Sequence, residues 1–498
     1  MSSAAAVLSI AVLGVTALGF GAARWGGANL SQLEEWALGG RSFGTVVSWF
    51  LLGGDLYTAY TFIAVPALVY GVGALGFFAV PYATIAYPIA LVVLSRFWVV
   101  ARRRGYVTTA DFVRDRYGDR ALEVAIALTG AVAAMPYIAL QLVGMRAVFA
   151  QFSTLGAAGA LPALTIAFVL LGAYTYVSGL RAPALIAFVK DTLIYVTVIA
   201  AIVVIPAKLG GWEHIFASAE AALVRRPHPS SIFLAPGQYF TYATMAFGSA
   251  LSLFIYPHSI TSVLAARSRE VIRRNSALLP IYSLLLGLLA LLGYCAIAAQ
   301  IAPKDATNVV PMLFASFFPG WFTGVADSAV VIGALVPAAI MCIGAANLFA
   351  SNVFREFSPE RSPVETLVAK LLTLAIAAFA LLVIFFVPVP FAIDFQLLGG
   401  ALMLQIFPAF VLGLWTRWFH PKALFAGWAC GLAVSCGMAV AAGFNANFTI
   451  HAFGGSLTGF IALYSLVVNL VVSAALTVLL RATGLSRGLD RTTAADYA

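Results

Sequence analysis

Thirteen stretches of about twenty or more apolar residues run through the chain, near 4–23, 44–72, 76–101, 121–150, 159–179, 183–207, 238–264, 277–302, 323–353, 364–388, 393–416, 423–443 and 457–481. A helix rises about 1.5 Å per residue, so each stretch matches a hydrocarbon layer about 30 Å thick. Charged residues make up 9% of the chain, against about 25% in soluble domains. The pattern predicts an all-α polytopic membrane protein of about 13 transmembrane helices (spans 1 to 13), embedded in a lipid bilayer and carrying no soluble domain.

The net charge of +9 is distributed as a membrane protein distributes it, not as a nucleic-acid-binding surface. With the N-terminus placed outside, the connections facing the cytoplasm hold Arg102, Arg103, Arg104, Arg114, Arg116, Arg120, Arg181, Arg267, Arg269, Arg273, Arg274, Arg355, Arg361, Arg417, Lys422, Arg481, Arg487 and Arg491. The opposite connections keep Lys208, Arg225, Arg226 and Lys304. Basic residues favour cytoplasmic loops, which places the N-terminus outside, the C-terminus inside and the chain in the cell membrane. The first run has no basic leader and reads as a retained helix; the alternative is a cleaved signal peptide. The segment 208–238 contains WEHIFASAEAALV, read as an interfacial amphipathic helix. Cys295, Cys342, Cys430 and Cys436 lie in apolar runs without metal-ligand spacing, so neither a disulfide framework nor a metal site is expected. No GxxxxGK[ST], HExxH or GxSxG occurs, which argues against nucleotide-driven pumping and against a membrane-embedded enzyme.

Ionisable and polar residues at bilayer depth are expensive and mark function by default. Span 2 reads WFLLGGDLYTAYTFIAVPALVYG. Gly53 and Gly54 weaken the helix, and Asp55 follows them. Asp55 is either the cap of a helix restarting after Gly54 or a cation or proton site beside a substrate pocket, with Tyr57, Thr58, Tyr60 and Thr61 around it. Lys190 and Asp191 lie in span 6, as a structural ion pair or a titrating pair on the ion path. In span 7, Pro257 kinks the helix between Tyr256 and His258. Tyr137 and Gln141 on span 4, Asn347 on span 9, and Gln396 and Gln405 on span 11 complete the set. Spans 2 and 7 are thus both interrupted, and matched interruptions in two halves point to a transporter binding site. Helix N-termini at such a break offer N–H donors and a positive field, and Phe62, Phe254 and Phe407 supply an apolar remainder.

The ordered set GGRSFG, RRRGYVTTADFVRDRYG, YTYVSGLRAPALIAFVKD, YPHSITSVLAARSREVIRR and GLWTRWFHPKALFAGWACG resembles the sodium:solute symporter family over nearly the whole chain. Span 2 is most similar to its monocarboxylate permease branch. The resemblance implies a leucine-transporter-like core of two inverted five-helix repeats, residues 38–207 and 238–420, preceded by a leading helix and linker (1–37) and followed by trailing helices and a tail (421–498). It implies a substrate between spans 2, 3, 7 and 11, with Tyr256 and His258 where relatives contact and gate it; Thr58, Tyr60, Thr61, Tyr137, Gln141 and Gln405, polar at the same depth, complete the expected contacts. It also implies a sodium site of span 2 carbonyls near Gly53, Gly54 and Tyr57 with paired hydroxyls on span 9. Those two positions are Cys342 and Ile343 here, and neither offers the oxygen that hard Na⁺ prefers. The expectation is therefore secondary transport of a short monocarboxylate, coupled to H⁺ rather than Na⁺, with Asp55, Lys190 and Asp191 as proton sites and no other cofactor. The alternatives are a Na⁺-coupled amino-acid symporter, a transport-derived sensor, or a channel.

Overall fold

A computed structural model describes residues 2–27, 29–54, 57–153, 159–356, 363–386, 393–452 and 455–497. Among these residues, eleven helices are long and apolar enough to cross a membrane, or twelve with the bent pair Pro236–Leu253 and Pro257–Leu264 counted as one. The expected thirteen are recovered because the apolar stretch Tyr60–Arg104 divides at Gly73, which takes φ +68° and whose added Cβ would meet the Ser231 carbonyl at 2.3 Å. The thirteen spans are then Ser3–Gly21, Thr45–Gly54 continued by Tyr60–Val72, Ala79–Arg104, Arg120–Ala150, Leu161–Ser178, Arg181–Lys208, Tyr239–Leu253 continued by Pro257–Leu264, Pro280–Ala298, Gly320–Asn352, Pro363–Phe386, Ile393–Phe410, Pro421–Ala441 and Ile461–Ala482.

Span 9 is the axis of the bundle. The apolar window that qualifies it as a span is buried along its whole length, packed against spans 1, 4, 6 and 10. Glycines permit the approach: a Cβ at Gly324 would sit 2.6 Å from the Ala4 carbonyl, and one at Gly344 2.7 Å from Pro257. Small residues at helix crossings let backbones pack closely where lipid supplies no hydrophobic drive between helices.

Spans 2 and 7 are joined at the arginine-rich face. Phe43 N–H donates to the Ala265 carbonyl at 3.1 Å, and Arg267 N–H donates to the Phe43 carbonyl at 2.9 Å. The start of one broken span therefore meets the end of the other, so the two run in opposite directions. At the opposite face, Trp212–Val224 is a helix that buries Ile215, Ala219 and Leu223 along one stripe, as WEHIFASAEAALV predicts. One element departs from the all-α expectation: β1 (Asn447–Ala452) and β2 (Gly455–Phe460) form an antiparallel hairpin with Asn447 opposite Phe460, between spans 12 and 13. Its alternating Phe448 and Ile450 carry a strand signal too short to stand out between two long apolar runs.

The C-terminal tail straps the arginine-rich face. Asp490 pairs with Arg116 at 3.0 Å and with Arg417 at 3.1 Å, so one carboxylate ties the connection between spans 3 and 4 to that between spans 11 and 12. Arg104 reaches Asp496 Oδ2 at 2.6 Å, and Tyr497 lies 4.8 Å under the Arg96 guanidinium. The hydrogen bond from Arg104 holds the Asp496 carboxyl down at about 2. A carboxylate lowered this way contributes stability that is present above its ordinary value and lost only as pH falls toward the depressed one. Tail docking is therefore expected to be constant between about pH 5 and pH 8 and to be released by Asp496→Ala. Hydrogen exchange of the tail amides checks both: fast exchange in the wild type at the acid end of that window would refute the first.

Candidate functional site

The break in span 2 is built from its own side chains. The helix ends at Gly54 and resumes as a π-helical turn, Tyr60–Ala64, running into Val65–Val72. Thr58 Oγ1 accepts from Tyr60 N–H at 2.9 Å, Thr61 Oγ1 accepts from Thr58 N–H at 3.0 Å, and Gln141 Oε1 from span 4 accepts from Ala59 N–H at 3.0 Å. Thr61 Oγ1–H in turn donates to the Thr58 carbonyl at 2.8 Å. The hydroxyls of Thr58 and Thr61 and the amide of Gln141 thus cap the N–H groups of the break and fix its shape. Asp55, with Leu56, lies outside the described residues.

The carbonyl side of the break is held by a cation from the protein itself. Lys190 Nζ donates to the Gly54 carbonyl at 3.0 Å and to the Tyr57 carbonyl at 3.3 Å. It also lies 2.8 Å from Asp191 Oδ1. Asp191 Oδ2 accepts from the Tyr282 hydroxyl at 3.0 Å, and the Tyr282 ring packs at a tilt with its centroid 4.5 Å from that of Tyr57. Lys190 and Asp191 are both fully buried. Gly53 and Gly54 are present because Tyr282 and Lys190 press on them: a Cβ at Gly53 would lie 2.2 Å from Tyr282 Cζ, and one at Gly54 3.1 Å from Lys190 Nζ.

Two expected positions fall elsewhere. The part of span 9 facing this cradle is Gly333, whose added Cβ would lie 3.9 Å from the Tyr57 carbonyl oxygen. Cys342 is nine residues further on, half a rotation around the helix and about 13 Å along it, and it neighbours Tyr174 of span 5. Cys342 is therefore not part of the cradle in this conformation. Gln405 is bound into the packing of spans 11 and 13, donating to Ser465 Oγ at 2.8 Å and accepting from Asn469 Nδ2 at 3.1 Å; it does not face the breaks.

The kink in span 7 opens toward span 4. Tyr256 adopts an extended backbone (ψ 143°) before Pro257, and Ser259 Oγ–H returns to the Leu253 carbonyl at 3.0 Å. The Tyr256 hydroxyl donates to the Gln396 carbonyl of span 11 at 3.0 Å. The His258 ring lies 5.2 Å from that of Tyr256 and 5.5 Å from that of Tyr137. Tyr60 stands 6.0 Å from Tyr82 of span 3. Both His258 nitrogens, both polar atoms of the Gln396 side chain and the Tyr60 and Tyr87 hydroxyls are buried without a hydrogen-bond partner among the described residues. Buried polar groups are nearly always paired, so this cluster of donors and acceptors is suited to a polar group. A narrow cleft of about 50 Å³, lined by Leu52, Tyr87, Phe254, Ser259 and Val263, reaches Tyr87 from the arginine-rich side. Tyr82, Tyr87 and Tyr282 were not distinguishable in the sequence, since a tyrosine in an apolar run reads as ordinary core.

Three comparisons bear on this arrangement. Residues 36–431 match the model of the sodium:solute symporter family. The chain is 51% identical over 471 residues to a monocarboxylate transport permease protein of Rhizobium johnstonii, covering 94% of this chain and 95% of that one. It is 34% identical over 435 residues to the uncharacterized symporter YodF of Bacillus subtilis, covering 86% of each. A solved structure of a Na⁺-coupled sialic acid symporter, in a substrate-bound outward-open state, superposes with a TM-score of 0.76 at 15% identity over 96% of this chain and 98% of that one, and so shares the leucine-transporter-like fold. Matched along most of its length by family, relative and fold, this multi-pass membrane protein belongs to the sodium:solute symporter family.

Proposed function

We propose that the chain imports a short monocarboxylate by proton-coupled symport, with the arginine-rich face toward the cytoplasm. The observation that carries the coupling is the Lys190 ammonium on the Gly54 and Tyr57 carbonyls, the place where the family resemblance puts a sodium ion. A protonated lysine is a donor with three N–H groups. Losing the proton removes the charge opposite Asp191 and loosens the two carbonyls, which ties the protonation state to the join between the halves of span 2. The substrate class follows the monocarboxylate permease relative and the unpartnered donors: Tyr60, His258 and Gln396 suit a carboxylate with an adjacent oxygen, and Phe62 and Phe254 are buried nearby on the two broken spans to suit its alkyl end.

The test is uptake into proteoliposomes under imposed H⁺ or Na⁺ gradients. Accumulation driven by an inward acid gradient without Na⁺ is expected, and Asp55→Asn is expected to reduce it to equilibration. Strict Na⁺ dependence with no response to pH would overturn the coupling and favour the Na⁺-coupled alternative, which the family and the structural neighbour support. A screen of two- to six-carbon acids and amino acids in the same vesicles separates the substrate classes. Saturable counterflow excludes a channel.

A further inference from the structure

A second buried carboxylate lies outside the cradle. Asp327 sits on span 9, seven residues in from the end of the helix on the face opposite the arginine-rich loops, about 10 Å along it. Its residue is 1% exposed. Oδ1 accepts a long hydrogen bond of 3.4 Å from Gln151 Nε2, and Oδ2 has no partner among the described residues. Gln151 caps the end of span 4 and is itself exposed, so a water-accessible amide leads directly to a buried acid.

No cation answers this acid. The charged groups on elements packed against span 9 at this level are Arg146 of span 4 and Lys208 of span 6. Lys208 donates to the Phe317 carbonyl at 2.7 Å, and neither forms an ion pair with Asp327 among the described pairs. Asp305, in the neighbouring connection, accepts from Thr307 at 2.8 Å. Span 1 and the helix Val309–Phe317 bring no charged side chain. An ionised carboxylate buried without a cation loses several kcal/mol of hydration, a cost that the neutral acid avoids.

Span 9 connects this acid to the cradle. Six residues beyond Asp327, about 9 Å along the axis, Gly333 faces Ile194 and the Tyr57 carbonyl. On span 6, Lys190, Ile194 and Thr197 lie on one helical stripe, all buried, and the Thr197 hydroxyl has no partner among the described residues. Because spans 6 and 9 run antiparallel, Thr197 falls at a level between Lys190 and Asp327. Resting on the proton-coupled reading above, we propose that Asp327 is the proton-loading site of the transporter: it takes a proton from the aqueous face past the exposed Gln151 and supplies the Lys190–Asp191 pair. The balance is one proton bound at Asp327, transferred inward and released on the other side, with no redox partner.

The experiment reconstitutes the full-length chain and compares wild type, Asp327→Asn and Asp327→Glu for acid-driven accumulation and for substrate counterflow at equal pH. One pH unit per proton supports about tenfold accumulation. Asp327→Asn is expected to lose that accumulation while counterflow stays within about twofold of wild type, and Asp327→Glu is expected to restore it with a shifted dependence on external pH. Acid-driven accumulation by Asp327→Asn with an unshifted pH profile overturns the proposal alone. If Asp327→Asn loses counterflow as well, a working Asp327→Glu supports the proton role and an inactive one overturns it in favour of packing. Wild type that accumulates only on Na⁺ overturns the underlying reading, and this inference with it.

Discussion

Lys190→Met is expected to abolish acid-driven accumulation and to lower thermal stability sharply. The substitution keeps most of the side-chain volume and removes the charge. It leaves Asp191 buried opposite no cation, and breaking a buried ion pair by deleting one partner costs about 3–5 kcal/mol. It also strips the Gly54 and Tyr57 carbonyls of their donor, at about 1–3 kcal/mol for each buried group left unsatisfied. The double variant Lys190→Met/Asp191→Asn is expected to regain part of the melting temperature, because the uncompensated charge is gone, and none of the accumulation. Lys190→Ala adds a sharper outcome. It empties a cradle of two carbonyls and a carboxylate, all hard oxygen ligands of the kind alkali cations prefer. Replacing K⁺ with Na⁺ is then expected to raise the melting temperature of Lys190→Ala and not of wild type, since a ligand that binds only the folded state stabilises it. Wild-type accumulation by Lys190→Met would remove the lysine from the coupling mechanism.

Gly53→Ala is the second large effect. Gly53 ends the first half of span 2 in a helical conformation, so local propensity alone favours alanine by about 1 kcal/mol. Tertiary contact reverses the sign. The new methyl would lie 2.2 Å from Tyr282 Cζ and 2.3 Å from its hydroxyl oxygen, and that ring cannot retreat freely. It packs 5.1 Å from Trp49 and 4.5 Å from Tyr57, and its hydroxyl holds Asp191. Overpacking of a filled core costs about 1–3 kcal/mol, and here the displaced group is the one that orients the ion pair. Gly53→Ala is therefore expected to lower the melting temperature and to cut uptake by about tenfold or more, the equivalent of about 1.4 kcal/mol. Gly54→Ala meets the flexible end of Lys190 at 3.1 Å and is expected to have the milder stability effect. Parallel melting and uptake measurements on the two variants decide this; equal, small effects would show that Tyr282 can move.

Much of the fold is legible because the bilayer imposes a one-dimensional rule: a span needs about twenty apolar residues, and that rule reads directly from order and composition. The interruptions at Gly53–Gly54 and Pro257 are equally legible, since each removes a local element that a helix needs. So is a lysine beside an acid at bilayer depth, because residue type alone states its charge. Partners between spans are a different matter. Thr58 and Thr61 read as donors at the break, and only the structure shows that their oxygens also cap it. Gln141 and Gln405 are the same residue type in similar apolar settings, and only the packing sends one to Ala59 and the other to span 13. Cys342 aligns with an ion-ligand position, but helix rotation and the level of span 9 put Gly333 opposite Tyr57. Asp327 escaped notice because a single acid near the end of a long run resembles an interfacial residue until burial is known.

The sequence by itself determined that the chain crosses the membrane about thirteen times, that spans 2 and 7 are broken, and that a lysine–aspartate pair lies at depth. These are properties of chemical type and spacing along one chain. Only the tertiary structure decided that the ammonium of Lys190 closes on the carbonyls of Gly54 and Tyr57. That contact joins residues 136 and 133 positions apart. Its formation depends on how far each helix rises and how it rotates against its neighbours, and no local pattern encodes that.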